Sequence, residues 1–309
     1  MRLLSRKIKP IRRNRGCCGG AALHATIAVP QRYRCHGTGG GPGGFTTCRP
    51  ALPQRPCPTR TPAAAAGLLC DATLWQAQID GLAGLAQCQV ADVTADDSLP
   101  AMARRALEAA PDRFALAGLS MGGYLAFEIL RQAPQRVTRL ALLDTSARPD
   151  TPDQARRRRG LIGLARTGAF RGVTPRLLPQ LVHPVHLGGP VGAAVVAMAE
   201  RVGRDAFLRQ QAAILARPDS RPDLPGIRLP TLVAVGEADA LTPPDLAEEI
   251  AAAIPDARLE VIPGCGHLPP LEALPRSPPC CGTGWRQGWI AEGVNPLCKQ
   301  QATAIGVHV

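Results

Sequence analysis

A serine held between glycines, in Gly118-Leu119-Ser120-Met121-Gly122, is the pattern in this sequence that points most directly to chemistry. The residues before it are apolar like a buried strand, and those from Met121 to about Gln132 predict a helix. A strand that turns abruptly into a helix puts the serine in strained backbone, where only small neighbours avoid a clash. Its hydroxyl then lies at a helix N-terminus, where developing negative charge is favoured. We therefore expect Ser120 to act as a nucleophile.

A serine hydroxyl is a poor nucleophile unless a base accepts its proton and a third group orients that base. His267 follows a predicted strand at 258–262, and Asp239 follows another at 231–235. The carboxyl ends of parallel strands meet at one edge of a sheet, so these side chains would converge there with Ser120. We predict a Ser120–Asp239–His267 catalytic triad in which His267 is the base.

A second carboxylate could take the place of Asp239 as the group that orients the base. Asp144 ends the predicted strand at 137–143, at the same edge of the sheet, and could also reach His267. Asp239 is the favoured residue, and Asp144 is the alternative.

Acyl transfer also requires backbone N–H donors that point at the oxyanion of the tetrahedral intermediate. The amide of Met121, directly after the nucleophile, is one expected donor. The second is expected from the loop at residues 66–71, where the amide of Leu68 is the candidate. Met121 and Leu68 would together form the oxyanion hole.

Metal-ligating patterns are weak in this sequence. His183 and His186 lie near each other, but no Cys, Asp or Glu stands beside them at ligand spacing. The eleven cysteines contain no C-x-x-C pair, and their odd number and irregular spacing argue against a disulfide framework. The sequence therefore predicts neither a metal nor a cofactor.

The elements that would position these side chains alternate between strand and helix. This alternation predicts the α/β class, with a mostly parallel sheet and helices on both of its faces. A long helical stretch, broken by prolines, separates two of the strands. It predicts an inserted helical cap at about 146–228. The predicted strands are 90–93, 113–118, 137–143, 231–235 and 258–262, and the predicted helices are 98–110, 121–132, a region from 151 to about 217, and one that begins near 243.

Composition divides the chain into three parts. Residues 1–66 hold twelve of the 36 Lys and Arg and no Asp or Glu, so they carry the whole net charge of +12. We expect them to be a basic Arg/Gly/Pro-rich, disordered tail, followed by a core at 67–274 and an irregular tail at 275–309. The balanced core does not predict specific nucleic-acid binding, and no apolar run is long enough to span a membrane. A reduced, cytoplasmic protein with a small-molecule substrate is expected, and its oligomeric state is left open.

The four motifs together resemble the α/β-hydrolase superfamily, in particular its capped esterase, enol-lactonase and cofactor-free haloperoxidase-like branch. They are Gly67-Leu68-Leu69-Cys70-Asp71, Gly118-Leu119-Ser120-Met121-Gly122-Gly123, Gly236-Glu237-Ala238-Asp239 and Gly264-Cys265-Gly266-His267, in the family's order. The resemblance implies hydrolysis of a carboxylic ester, lactone or related acyl bond through an acyl-enzyme. Esterases, lactonases, C–C hydrolases and perhydrolases can all share such a triad.

The sequence departs from this family at both ends of the core. The residues before Gly67 are rich in proline and alanine, which are not expected to form a central strand. The stretch at 275–309 stands where the family has a closing helix. We therefore expect the first strands and the last helix to be missing or altered. The alternative function is that of a catalytically impaired binding or interaction protein with this fold.

Overall fold

The computed structural model describes residues 61–83, 86–168 and 170–273. In these ranges six parallel strands form one sheet in the order β2-β1-β3-β4-β5-β6. The strands are β1 (Thr61–Ala65), β2 (Gln89–Val90), β3 (Phe114–Leu119), β4 (Val137–Leu143), β5 (Thr231–Gly236) and β6 (Arg258–Ile262). The helices are α1 (Gln76–Gly81), α2 (Leu99–Ala109), α3 (Met121–Gln132), α4 (Pro152–Arg166), α5 (Pro190–Leu215), α6 (Pro244–Ala253) and α7 (Pro269–Glu272).

Side chains alternate between the two faces of the sheet, as the period of a strand requires. Phe114 and Leu116 of β3 join one buried cluster, which also includes residues of α2, α3 and α6. Leu119 and Ala117 of the same strand join a second cluster with residues of α1, α4 and α5. The sheet is therefore covered by helices on both faces, which confirms the predicted fold class.

One expectation about the N-terminal edge of the core is wrong. Thr61–Ala65 is a central strand that pairs with β3 along its whole length and with β2 at Ala63 and Ala64. Pro62 has no backbone N–H group, but it comes before the two residues that pair with β2. The hydrogen bonds between β1 and β2 are therefore not interrupted by the proline. α3 lies very close to the end of this strand: a Cβ on Gly122 would lie 2.3 Å from the carbonyl oxygen of Ala65, so the helix requires glycine there. β1 therefore lies within residues 1–66, which the sequence had led us to assign to the tail.

The long segment between β4 and β5 is helical, as predicted. We name residues 146–228 the inserted segment; it contains α4, α5 and several short 3-10 turns. Thr151 starts α4 with a complete capping box, in which its hydroxyl accepts from the Gln154 amide and the Gln154 side chain accepts from the Thr151 amide. α5 is interrupted at Gly203, whose φ of 74° lies in a region that glycine adopts without strain.

The remaining predictions for the elements are confirmed, with small differences in length. α3, β4 and β6 have the predicted bounds, whereas β2 (Gln89–Val90) shares only Val90 with the strand predicted at 90–93. The expectations for residues 1–60 and 275–309, including the altered closing helix, fall outside the described residues. In the described part of the chain, no helix combines the length and apolar character needed to span a membrane.

Candidate active site

Ser120 lies at the sharp turn that joins β3 to α3. Its φ of 53° and ψ of −112° place a non-glycine residue in a strained conformation. The turn is held by two bonds: the Ser120 amide donates to the Leu143 carbonyl at 2.9 Å, and the Thr145 hydroxyl donates to the Ser120 carbonyl at 2.7 Å. A Cβ on Gly118 would lie 2.2 Å from the Gly122 carbonyl oxygen, so the turn requires glycine there. The backbone therefore stores strain at the predicted nucleophile.

His267 and Asp239 are brought together at the carboxyl edge of the sheet. The Nδ1 atom of His267 lies 2.8 Å from Oδ2 of Asp239, and both residues are 4% exposed. Asp239 accepts three further hydrogen bonds, from the amides of Leu241 (2.8 Å) and Thr242 (3.2 Å) and from the Thr242 hydroxyl (2.6 Å). This pair has the geometry of a carboxylate that orients an imidazole.

The donors around Asp239 decide its charge. Burial alone would raise the pKa of this carboxyl, but the charge and hydrogen bond of His267, together with the bonds from Thr242 and Leu241, lower it below its usual value. Asp239 is thus an anion at neutral pH, and its ionised form favours a proton on the facing Nδ1 atom.

Asp144 lies beside this pair but is engaged elsewhere. Its Oδ1 atom accepts from the Gly236 amide at 2.8 Å, and its side chain is fully buried. The residues on either side of Asp144, Leu143 and Thr145, are both hydrogen-bonded to Ser120. The segment that contains Asp144 therefore lies between the serine turn and the Asp239–His267 pair. Of the two carboxylates considered from sequence, the one hydrogen-bonded to the histidine is Asp239.

Asp144, Asp239 and His267 also form a cluster of metal-ligating atom types within the described ranges. One ligand atom from each lies within 4.8 Å of the others. The Nδ1 atom of His267 is already in contact with Asp239, and the Asp239 carboxylate also accepts from the amides of Leu241 and Thr242 and from the Thr242 hydroxyl. A cation would have to displace these donors, so the cluster is poorly suited to a metal. That the protein uses no metal stays a prediction.

The loop that carries His267 is held by a residue that the sequence analysis missed. The Glu272 carboxylate of α7 accepts from the amides on either side of the histidine, Gly266 at 3.0 Å and Leu268 at 2.9 Å. It also accepts from the His183 amide of the inserted segment at 2.7 Å. The His267 amide in turn donates to the Leu181 carbonyl at 3.1 Å. One carboxylate therefore fixes the histidine loop and links it to the inserted segment.

The predicted oxyanion loop lies against the serine turn. A Cβ on Gly67 would lie 3.5 Å from the Ser120 Cβ, so the loop approaches the serine closely. Leu69 has a φ of 58°, and its amide donates to the side chain of Gln210 of α5 at 3.2 Å. In the described ranges the amides of Leu68 and Met121 donate no hydrogen bond to another protein group. Within these ranges both amides remain candidate donors to a ligand oxygen.

Thr242 and Gln210 were also missed by the sequence analysis. Thr242 follows Asp239 by three residues, a spacing at which a hydroxyl can bond a carboxylate in a turn, so a local signal existed. Gln210 is fully buried, and its amide group donates to the Val93 carbonyl at 3.2 Å while it accepts from Leu69. No local pattern marks Gln210, because its partners lie far away in the sequence.

The buried thiols near this site are unsuited to nucleophilic attack. Burial, with the nearby Asp71 charge, raises the pKa of Cys70 to about 12. Burial and the charge of Glu272 raise the pKa of Cys265 as well. Both thiols stay protonated at neutral pH, and the thiolate is the reactive form. Among the described groups at this edge, Ser120 is the better candidate nucleophile.

Comparison with known proteins places the chain in a family. The family model described as the alpha/beta hydrolase fold matches residues 81–274. The pimeloyl-[acyl-carrier protein] methyl ester esterase of Aromatoleum aromaticum is 32% identical over 174 residues, which are 52% of this chain and 68% of the relative. The enzyme of the same name from Nitrosomonas europaea is 30% identical over 186 residues, 56% of this chain and 71% of the relative.

Solved structures agree with this assignment. An esterase from Thermogutta terrifontis superposes with a TM-score of 0.63 and 30% identity, over 69% of this chain and 85% of that one. The enol-lactonase of Burkholderia xenovorans, at 23% identity and a TM-score of 0.59, shares the fold over 70% of this chain and 87% of that one. The chain belongs to the alpha/beta hydrolase fold family.

Proposed function

We propose that this protein is a serine hydrolase that cleaves a carboxylic ester, lactone or related acyl bond of a small molecule through an acyl-enzyme. The observation that carries the proposal is the 2.8 Å contact between His267 Nδ1 and Asp239, at the edge where the strained turn of Ser120 also lies. The esterases among the relatives and solved structures support the same reaction class.

In the proposed reaction, Ser120 Oγ attacks the carbonyl carbon of the substrate while the Nε2 atom of His267 accepts the hydroxyl proton. Asp239 stabilises the imidazolium that forms and keeps the ring in the required orientation. The amides of Leu68 and Met121 stabilise the oxyanion, since neither is used by another protein group in the described ranges. His267 then gives its proton to the leaving oxygen, and water hydrolyses the acyl-enzyme by the reverse sequence of proton transfers.

The inserted segment acts as a cap over the site in this proposal. It contacts both functional loops: Gln210 accepts from the Leu69 amide of the oxyanion loop, and the His183 amide donates to Glu272 beside the histidine loop. A segment tied to both loops is suited to enclose the acyl group and to exclude bulk water.

Labelling by a fluorescent fluorophosphonate tests the serine mechanism. We expect the wild-type protein to be labelled, Ser120→Ala to lose all labelling, and His267→Ala to lose most of it. Ser98→Ala is the matched control, since Ser98 makes no side-chain capping bond at the start of α2, and it should label like the wild type. A wild-type protein that is folded by circular dichroism but unlabelled would contradict the proposal and favour the non-catalytic alternative.

A second candidate substrate is a methyl ester carried on an acyl-carrier protein, as the names of the relatives suggest. Arg156, Arg157 and Arg159 of α4 are exposed in a row, whereas Arg158 turns inward to Asp150 at 2.8 Å. The exposed arginines could bind acidic side chains of a carrier. Replacing these three by serine should raise KM for a carrier-bound methyl ester and leave hydrolysis of p-nitrophenyl acetate unchanged. Equal KM values for the carrier-bound ester would rule this candidate out.

A further inference from the structure

Asp144 is the buried acidic residue of this site that the proposed mechanism does not use. It directly follows β4 with a φ of 42°, and its backbone amide donates to the Ala234 carbonyl at 3.0 Å. Its Oδ1 atom accepts from the Gly236 amide, at the start of the loop that carries Asp239. The side chain therefore connects the end of one strand to the loop after the next.

The second carboxylate oxygen of Asp144, Oδ2, differs from the first in its surroundings. Oδ2 is buried, and no N–H or O–H group of the described residues donates to it. Another acid lies close to it: an oxygen of the Asp239 carboxylate lies within 4.8 Å of an oxygen of the Asp144 carboxylate. Two carboxylate groups can share a hydrogen bond only if one of them carries a proton, because an ionised carboxylate has no donor.

The neighbouring donors show which of the two acids holds the proton. Asp239 accepts from the amides of Leu241 and Thr242, from the Thr242 hydroxyl and from the His267 ring, a set that stabilises its anion. Asp144 accepts from the Gly236 amide alone. The asymmetry assigns the charge to Asp239 and the proton to Asp144.

The charged and titratable surroundings of Asp144 agree with this assignment. Burial, followed by the negative charge of Asp239, raises the pKa of Asp144 well above its usual value, and Glu272 of α7 acts in the same direction. The groups that face it from the neighbouring loops are Asp239, His267 and the protonated thiol of Cys265.

We propose that Asp144 is a neutral carboxylic acid whose Oδ2–H donates to the Asp239 carboxylate, so that it serves as a positioning residue for the Asp239–His267 pair. Its Oδ1 atom holds the Gly236 amide at the same time, and the two bonds fix the loop that presents Asp239. The role in turnover rests on the proposed serine-hydrolase function, whereas the location of the proton does not.

Asparagine is the variant that imitates the proposed state. Asp144→Asn keeps an acceptor for the Gly236 amide, supplies an N–H donor for Asp239 and tolerates a positive φ. Asp144→Ala removes both bonds and leaves the Gly236 amide unpaired, a change that costs more than the loss of an exposed bond. We expect the rate of fluorophosphonate labelling at neutral pH to stay within about threefold of wild type in Asp144→Asn and to fall at least tenfold in Asp144→Ala.

Infrared spectroscopy of protein labelled with ¹³C-aspartate locates the proton without any turnover. The wild type should show the C=O stretch of a protonated carboxylic acid at neutral pH, and Asp144→Asn should lack it. This measurement stays decisive if the wild type fails to react with fluorophosphonate, or if Asp144→Ala fails to fold. Three results would each overturn the proposal. The first is absence of the band, and the second is a loss of labelling rate in Asp144→Asn equal to that in Asp144→Ala. The third is a stoichiometric metal ion that is bound by the wild type but not by Asp144→Asn.

Discussion

The hydroxyl of Thr242 offers a sharp test of how Asp239 supports the proposed base. Thr242→Val keeps the size and branching of the side chain but removes the 2.6 Å hydrogen bond to Asp239 Oδ2. The same hydroxyl lies 3.4 Å from His267 Nδ1, so it also borders the histidine. The remaining donors to Asp239 are the amides of Leu241 and Thr242 and the His267 ring, so the pair should stay assembled.

The size of the effect follows from the charge of the acceptor. A hydrogen bond to an ionised group contributes roughly 1.5–3 kcal/mol, and the Asp239 side chain is buried away from bulk water. If the whole loss appears in the transition state, kcat/KM falls about 10- to 150-fold. The lost bond is also one of those that lower the pKa of Asp239. Its removal raises that pKa, so the loss of activity that follows protonation of Asp239 should begin at a higher pH.

Hydrolysis of p-nitrophenyl acetate between pH 4 and 9 measures both effects, with Thr242→Ser as the matched control. The serine variant keeps the hydroxyl and should stay near wild type in rate and in pH profile. A valine variant with wild-type kcat/KM and an unmoved acid limb would refute the view that Asp239 orients the base. A valine variant with the same loss of rate as the serine variant would show that packing, and not the hydrogen bond, matters at this position.

Three further predictions concern the loops of the site. Glu272→Ala leaves three backbone amides without their carboxylate partner. We therefore expect kcat/KM to fall about tenfold or more, while Glu272→Gln retains part of the activity. Equal rates for wild type and Glu272→Ala would contradict this prediction. Gly236→Ala places a Cβ 1.9 Å from the Gly266 carbonyl oxygen, so its Tm should fall by several degrees, whereas Gly160→Ala, in open space on α4, should leave Tm unchanged or raise it. Because the folded-state pKa of Asp239 is depressed, its ionised form stabilises the fold above the unfolded pKa of about 3.9. The gap in unfolding free energy between wild type and Asp239→Asn should therefore shrink as pH falls below that value, as urea denaturation would show; a gap independent of pH would refute the assigned charge.

Most of the fold could be predicted because its signals are local. The bounds of α3, β4 and β6 follow from apolar runs, glycines and prolines close to each element. β1 was not predicted, since alanine and proline have low strand propensity. In the tertiary structure this segment pairs with β3 along all five of its residues and with β2 on its other side. Backbone pairing with strands that are distant in the sequence, which no local pattern shows, therefore outweighs the low strand propensity of these residues.

The residues that support the site were harder to predict from the sequence. Glu272 contacts the inserted segment across 89 residues, and Gln210 contacts the predicted oxyanion loop across 141. Neither contact leaves a periodic or local pattern, because each depends on how the inserted segment packs over the sheet. Thr242 is the exception, since its partner Asp239 is only three residues away.

The sequence by itself determined which residue types follow the strand ends: a serine in a glycine turn, two aspartates and a histidine. It favoured Asp239 as the partner of His267 but kept Asp144 as an alternative, because both follow strands that end at the same edge of the sheet. The tertiary structure distinguished them. Four donors surround the Asp239 carboxylate and favour its anion beside the histidine, whereas Asp144 is fully buried with a single donor. Burial and the number of donors set the charge of a carboxylate, and both arise only when distant loops pack together.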